Sequence, residues 1–375
     1  MEFFPPGVLN SNQLRELHKQ RVIGGGQLVA KGSALDLHLG SRGWKLKGSI
    51  KQSVVQRHFV ESVAGVCAKY GVPFQLDKSG IRLKRGTVAV IELKETVDFS
   101  QHPWLRGEAT GKSSIGRLDI LTRLLVNGCP EYERVPARYS GPLYVEIAPI
   151  SFDIRVYPED SLNQLRIHCG TPAPMDTLVG RRLLFNSSDG QEFAATAQEN
   201  RTLSLDIDSE GSSRLAAYVL RKECPKGLDF KDKGKVDAKE YFEAVKSKNN
   251  ALTIEVDRFY ILRSVERLVL PEDIAVTGMA YSENLGELRI HYAGFAHPWF
   301  GADRKDKKTG TPLIFEVRAH SFPIVLRHEE VFATIRFYKM SKDIPKRDKE
   351  QEKNDYTNQE LKLSNFFKLG SEPSV

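Results

Sequence analysis

The sequence predicts a mainly β protein made of two tandem copies of one β domain, with few short helices. Two observations predict this. Short β-rich segments separated by turn residues dominate the chain, and one of them recurs at a fixed distance along it. The β segments include TVAVIEL (87–93), PLYVEIAP (142–149), FDIRVY (152–157) and NQLRIHC (163–169). The recurrence is PLYVEIAPISFDI (142–154), which returns as PLIFEVRAHSFPI (312–324), a shift of 170 residues.

Helical signals are sparse. Ser11-Asn12-Gln13-Leu14 opens a short helix, with Ser11 or Asn12 as its N-cap. Val55, Phe59, Val63 and Val66 recur at helical spacing and predict a second helix over 53–68. The 170-residue shift also carries Leu35-Asp36 onto Leu205-Asp206, Gly116 and Leu118 onto Gly286 and Leu288, and Arg166 onto Arg336. Several matches at one ungapped offset predict a copied domain rather than a solenoid repeat. The boundaries expected are 1–172 for the first copy and 173–340 for the second. Residues 341–375 form a charged linker and a tail: SKDIPKRDKEQEKND (341–355) reads as solvated, and YTNQELKLSNFFK (356–368) is apolar enough to dock.

Composition narrows the function classes. A hydrophobic fraction of 40% gives both halves enough apolar material for a core, and 375 residues suit two domains. The net charge of +7 favours an anionic partner, yet it is spread along the chain without a basic arm or an aromatic-and-basic stripe. A small phosphorylated ligand is therefore expected, not nucleic acid. Four dispersed cysteines without a C-x-x-C pair predict neither zinc site nor disulfide framework, and so a reducing, cytoplasmic setting. No signal peptide and no membrane-spanning run is expected.

The stretch RGEATGKSSIGRLDILT (106–122) resembles a Walker loop but lacks its spacing. Gly107 precedes Gly111 by four positions, where G-x-x-x-x-G-K-[ST] requires five. Lys112, Ser113, Ser114 and Arg117 nevertheless gather a point charge, a guanidinium fork and two hydroxyls within six residues, a set suited to phosphate oxygens. The plainer alternative is a polar turn feeding a half-buried strand. Glu146, in Leu-Tyr-Val-Glu-Ile, is either a solvent-facing carboxylate or a buried one whose pKa would rise toward acid/base use. At the 170-residue offset Glu146 becomes Glu316, but Ser113, Arg117 and Gln164 become Glu283, Glu287 and Thr334. Two carboxylates would repel an anion, so an anion site belongs to the first copy. Zinc motifs fail: HEEVF (328–332) lacks the second histidine, and no P-C-x-x-C follows His328–Glu330.

GVLNSNQL near the start, GSALDLHLGSRGW (32–44), GKSSIGRLDI (111–120), LYVEIAP (143–149) and the tail YTNQ…LS (356–364) resemble the dCTP deaminase family, in its long tandem form. The resemblance implies two dUTPase-like domains, β-clip or distorted β-barrel, the second degenerate. It implies hydrolysis of dCTP to dUTP and ammonia without zinc, serving dUTP and dTTP biosynthesis. Magnesium would travel with the triphosphate, and dTTP would be a possible inhibitor. Glu146 would be the proton shuttle. Ser113 and Arg117 would orient it and the water, and Lys112, Ser113 and Ser114 would meet the phosphates. Gln164 would contact substrate, Tyr139 would face the sugar, and Tyr356 and Gln359 would belong to a tail closing over the triphosphate. Pro136 stands where short relatives carry an aspartate that activates water in dUTPases, which argues against a dUTPase or a bifunctional enzyme. Asp355 stands where short relatives carry a lysine, with Lys353 two residues earlier. The remaining alternative is a non-catalytic deoxynucleotide-binding protein. Short relatives are trimers, so three chains are expected, with one ring of first copies on one ring of second copies.

Overall fold

In the computed structural model the described residues are 4–51, 61–171, 182–185, 192–194, 200–207, 215–224, 226–279, 288–291, 294–302, 310–352 and 359–375. The first copy is a curled sheet. Its main path runs Arg134–Val135, Leu105–Gly111, Ser161–Cys169, Ala34–Leu46, Val88–Asp98, Ser140–Pro149 and Ile120–Val126. All strand pairs along it are antiparallel. Leu105–Gly111 and Ile120–Val126 lie near opposite ends of that path, yet only residues 112–119 join them, so the sheet closes on itself there as a dUTPase-like β fold.

The second copy repeats the architecture more loosely. Thr311–Ala319 pairs with both Tyr260–Leu268 and Leu288–His291. A four-stranded sheet holds Asn200–Ser204, Val331–Lys339, Ile274–Gly278 and Phe295–Ala296. The 170-residue offset is not kept everywhere in space. Leu288 pairs with Ala319, whereas in the first copy Ile120, not Leu118, pairs with Pro149.

The helices differ in detail from those the sequence predicts. The first spans Ser11–Lys19, and its cap is Asn10, whose side chain accepts from the Gln13 amide while Gln13 returns a bond to the Asn10 amide. This reciprocal pair is a capping box, one residue before Ser11, the nearer of the two expected caps. The second helix is Val63–Tyr70, capped by Ser62, and residues 52–60 of the expected helix lie outside the described set. A further helix, Lys346–Glu352, occupies part of the stretch expected to be a solvated linker. It is tied down because the buried Asp348 carboxylate accepts the Gly32 amide at 3.1 Å. Among the described residues no helix is long and apolar enough to cross a membrane.

The two copies are not separated by solvent. The apolar core of the first includes Tyr218, Phe242, Phe259 and Ile314 of the second, together with Leu361, Leu363, Phe366 and Phe367 of the tail. Each such side chain contributes about 1.5–3 kcal/mol when fully buried, so the tail segment after 359 is anchored structure. Three polar contacts stitch the copies further. Arg318 grips Asp119 with both Nε and Nη2, Arg166 stands 4.0 Å over the Phe295 ring, and Ser33 Oγ lies 3.2 Å from His297 Nδ1.

Candidate active site

The turn between the curled sheet's ends builds the site. Leu105–Gly111 stops at Gly111, and residues Ser113–Gly116 make one helical turn. Ile115 and Leu118 point into the core and fix it. Asp119 then adopts a left-handed backbone (φ 56°), tolerable for aspartate and held here by Arg318 and by Ser151. With its apolar residues turned inward, the turn presents Lys112, Ser113, Ser114 and Arg117 to a cleft of about 630 Å3 between the copies, within the range of small-molecule sites.

The two sides of the cleft differ chemically. The first copy supplies Lys112, Ser113, Ser114, Arg117 and Gln164, with Arg15 and Lys31 beside them. The second copy supplies an apolar wall that includes Phe295, Ala296, Phe300, Leu313 and Ile314. Among the described residues Arg15, Lys31, Lys112, Arg117, Lys233 and Arg347 face a single acidic lining residue, Asp36. Asp36 is itself bound to Lys112, Oδ2 to Nζ 2.7 Å. A polyanion with an apolar ring at one end fits this polarity.

Arg117 crosses from one copy to the other. Its Nε lies 3.8 Å from Glu316 Oε1, both side chains only 3% exposed, and its Nη1 donates to the Lys362 carbonyl at 3.0 Å. Ser364 Oγ donates to the Ser114 carbonyl at 2.6 Å. The tail therefore braces the turn from behind. Burial pushes the Glu316 carboxyl up to about 8, against the pull of the Arg117 guanidinium. His297 lines the cleft, which Glu316 does not, and is driven down to about 3 by burial and by Lys31, Arg166 and Lys112, so it is a neutral imidazole.

The structure redistributes the residues singled out in the sequence. Gln164 lines the cleft and donates to Thr110 Oγ1 at 3.4 Å. Gln359 lines it too, and its buried Oε1 has no partner among the described residues. Tyr356 lies outside the described residues. Tyr139 is not in the cleft lining: it is buried, its hydroxyl donating to the Pro142 carbonyl at 2.6 Å, and burial pushes its pKa up to about 12. Glu146 is not beside Arg117 either. Its carboxylate accepts from Arg123 Nε at 2.9 Å and Ser49 Oγ at 3.1 Å, opposite Arg123 in the strand register. The reason lies in strand parity: Glu146 shares its face with Tyr144, against the separate cluster of Trp44, Val63 and Cys67. Its counterpart at the repeat offset, Glu316, is the carboxylate that lies beside Arg117 within the chain. The sequence shows an equal carboxylate at that offset, but nothing local indicates which of the two meets Arg117.

Comparison with known proteins agrees with this architecture. Residues 5–171 match the model of the 2'-deoxycytidine 5'-triphosphate deaminase N-terminal domain, and residues 177–367 match that of its C-terminal domain. No curated protein matches the chain. The crystal structure of 2'-deoxycytidine 5'-triphosphate deaminase from Agrobacterium tumefaciens is similar, with a TM-score of 0.76 and 27% identity, over 91% of this chain and 100% of that one. With both of its halves matched to successive domains of one enzyme and its copies meeting around a cationic cleft, the chain belongs to the dCTP deaminase family, and it is a deaminase, a hydrolase acting on a carbon–nitrogen bond.

Proposed function

We propose that this chain converts dCTP to dUTP and ammonia in the cleft between its two copies, with Glu316 of the second copy as proton shuttle and Ser113 and Arg117 of the first as its partners. The observation that carries this reading is the buried Arg117–Glu316 pair, which joins a cationic half-site to a carboxylate half-site. Arg117 pairs with Glu316 and Ser113 borders one small cavity with it, whereas Glu146 is held by Arg123 and Ser49.

Hydrolytic deamination needs N3 protonated, water deprotonated as it attacks C4, and the amine protonated as it leaves. One carboxyl group can serve all three transfers. With its pKa near 8, Glu316 begins protonated at neutral pH and first acts as acid toward N3. The resulting carboxylate, stabilised by Arg117, takes a proton from water as the oxygen bonds to C4. It returns that proton to the amino group, the C4–N bond breaks, and the remaining hydroxyl proton passes to Glu316 as the keto group forms, which restores the protonated carboxyl. The water thus supplies the C4 oxygen, one proton of ammonia and the proton that replaces the one Glu316 gave to N3.

Lys112, Ser114, Gln164 and Gln359 are assigned to the triphosphate and sugar, with Tyr356 joining them if the tail closes. Magnesium would be carried by triphosphate oxygens, because the cleft offers those oxygens cations and its one acidic lining residue, Asp36, is bound to Lys112. dTTP, with the same triphosphate, would compete for the same lining. Since both half-sites lie in one chain, an assembly of three chains would hold three sites, one nucleotide each. Light scattering combined with calorimetric titration tests both numbers.

The decisive experiment is product analysis with magnesium. dCTP should give equal amounts of dUTP and ammonia, and dUTP should release no pyrophosphate. Binding of dCTP without turnover would reduce the protein to a nucleotide binder. Lys112→Ala should raise KM for dCTP by about 10–100-fold, the range of one lost hydrogen bond to a charged group, with kcat changed far less. Steady-state kinetics separates the two effects.

A further inference from the structure

Behind the helical turn lies a second cavity of about 10 Å3, bordered by Lys112, Ser113, Thr122, Glu316 and the backbone of Gly111 and Gly116. A single water needs about 10–15 Å3, so the cavity is about the size of one water. It shares Lys112 and Ser113 with the main cleft.

The chamber contains an unmet polar group. Thr122 is 2% exposed, and its Oγ1 has no hydrogen-bond partner among the described residues. A buried hydroxyl left unpaired destabilises a fold, and a water with two to four polar partners relieves that cost. The strand Ile120–Val126 places Thr122 here, and Gly111 makes room for its hydroxyl. A Cβ built on Gly111 would lie 2.7 Å from Thr122 Oγ1, too close for any other residue to leave the hydroxyl where it is.

We propose that this chamber holds the water that is added to the pyrimidine, and that Thr122 positions it between Glu316 and Ser113. The proposal rests on the assignment of Glu316 as the proton shuttle. Thr122 keeps its own proton throughout. The water oxygen forms the new bond to C4, and its proton passes to the Glu316 carboxylate, as in the reaction above. Thr122 is thus a positioning residue for the nucleophile, delivered from the side of the turn opposite the triphosphate.

Thr122→Val removes the hydroxyl and keeps the shape. The expected result is a fall in kcat of about 10–100-fold, the range of one lost hydrogen bond that orients a reactant. KM for dCTP should stay within a factor of about two, the pattern of an interaction used only on the way to the transition state. The thermal midpoint should be little changed, because a methyl of the same shape replaces a hydroxyl bonded only to a water. Thr122→Ser should restore most of kcat. Wild-type kcat in Thr122→Val, or a loss of kcat that Thr122→Ser does not rescue and that tracks a lowered midpoint, would overturn the proposal. Glu316→Gln measured in parallel separates the two levels. If that variant is inactive while Thr122→Val is fully active, only the water assignment fails; if Glu316→Gln is itself active, the assignment of the site fails.

Discussion

Glu316→Gln should lower kcat for dCTP deamination by about 10^4-fold, the upper range of acid–base catalysis by one group, while Glu146→Gln retains most of it. Glutamine keeps the size of Glu316 and can still face Arg117, so dCTP binding should persist in the inactive variant. Glu146 sits in a different environment, held by Arg123, Ser49 and the Ile50 amide. Its neutralisation leaves the Arg123 guanidinium partly uncompensated and should appear as lost stability, of about 1–3 kcal/mol, rather than as lost chemistry. Activity, nucleotide titration and urea unfolding on both variants give the comparison. An inactive, nucleotide-binding Glu146→Gln with an active Glu316→Gln would return the role to the first copy. A pH profile supplies a further check. Glu316 must start protonated to serve N3, so kcat/KM should fall as pH rises through about 8, the value to which burial raises this carboxyl.

Much of the fold was legible because the alternation of apolar residues and the 170-residue repeat are properties of the chain alone. The strand containing PLYVEIAP and its copy containing PLIFEV both form. The turn from Lys112 to Arg117 was also legible, since charge, hydroxyls and glycines cluster within six positions. The surroundings of Glu146 and Glu316 were not. Both carboxylates sit in near-identical local sequence, and they differ only in which residues from distant segments reach them: Arg123 and Ser49 for one, Arg117 from the other copy for the second. The anchoring of the tail was half visible. Its apolar composition suggested docking, but nothing local indicated that the Lys362 carbonyl would meet Arg117.

The divergence of the copies follows from this geometry. In the proposed reading the two copies form a site from unlike halves, a cationic turn on one side and a carboxylate strand on the other. At the 170-residue offset the second copy has Glu283 and Glu287 where the first has Ser113 and Arg117. It keeps Glu316, the residue that the pairing places opposite Arg117. The first copy keeps Glu146 but fills its surroundings with Arg123. In the proposed reading one chain thus holds one complementary pair of half-sites.

Arg117→Met should cost both activity and stability, and the stability loss should grow with pH. Breaking a buried ion pair by removing one partner costs about 3–5 kcal/mol when the remaining group stays charged. Here the remaining group is Glu316, whose folded-state pKa lies above its ordinary 4.5. A raised carboxyl contributes stability that is fully present below its unfolded pKa and is lost as pH rises through the folded pKa. In the wild type that loss runs from about pH 4.5 to about pH 8. Without Arg117, whose charge lowers the pKa, the folded value moves higher, so the loss continues further into alkaline solution. Unfolding in urea should then show a modest deficit for Arg117→Met at pH 6 and a larger one at pH 9. Adding Glu316→Gln should remove most of the difference between those two pH values, because the titrating group is gone; the coupling is read from the double-mutant cycle. Catalysis should fall by about 100-fold or more, since a carboxyl that holds its proton more tightly is a poorer acid toward N3 and toward the leaving amine, and the alkaline limb of kcat/KM should move upward. A pH-independent deficit that persists unchanged in the double variant would mean that Arg117 acts through the Lys362 carbonyl and the tail instead of through Glu316.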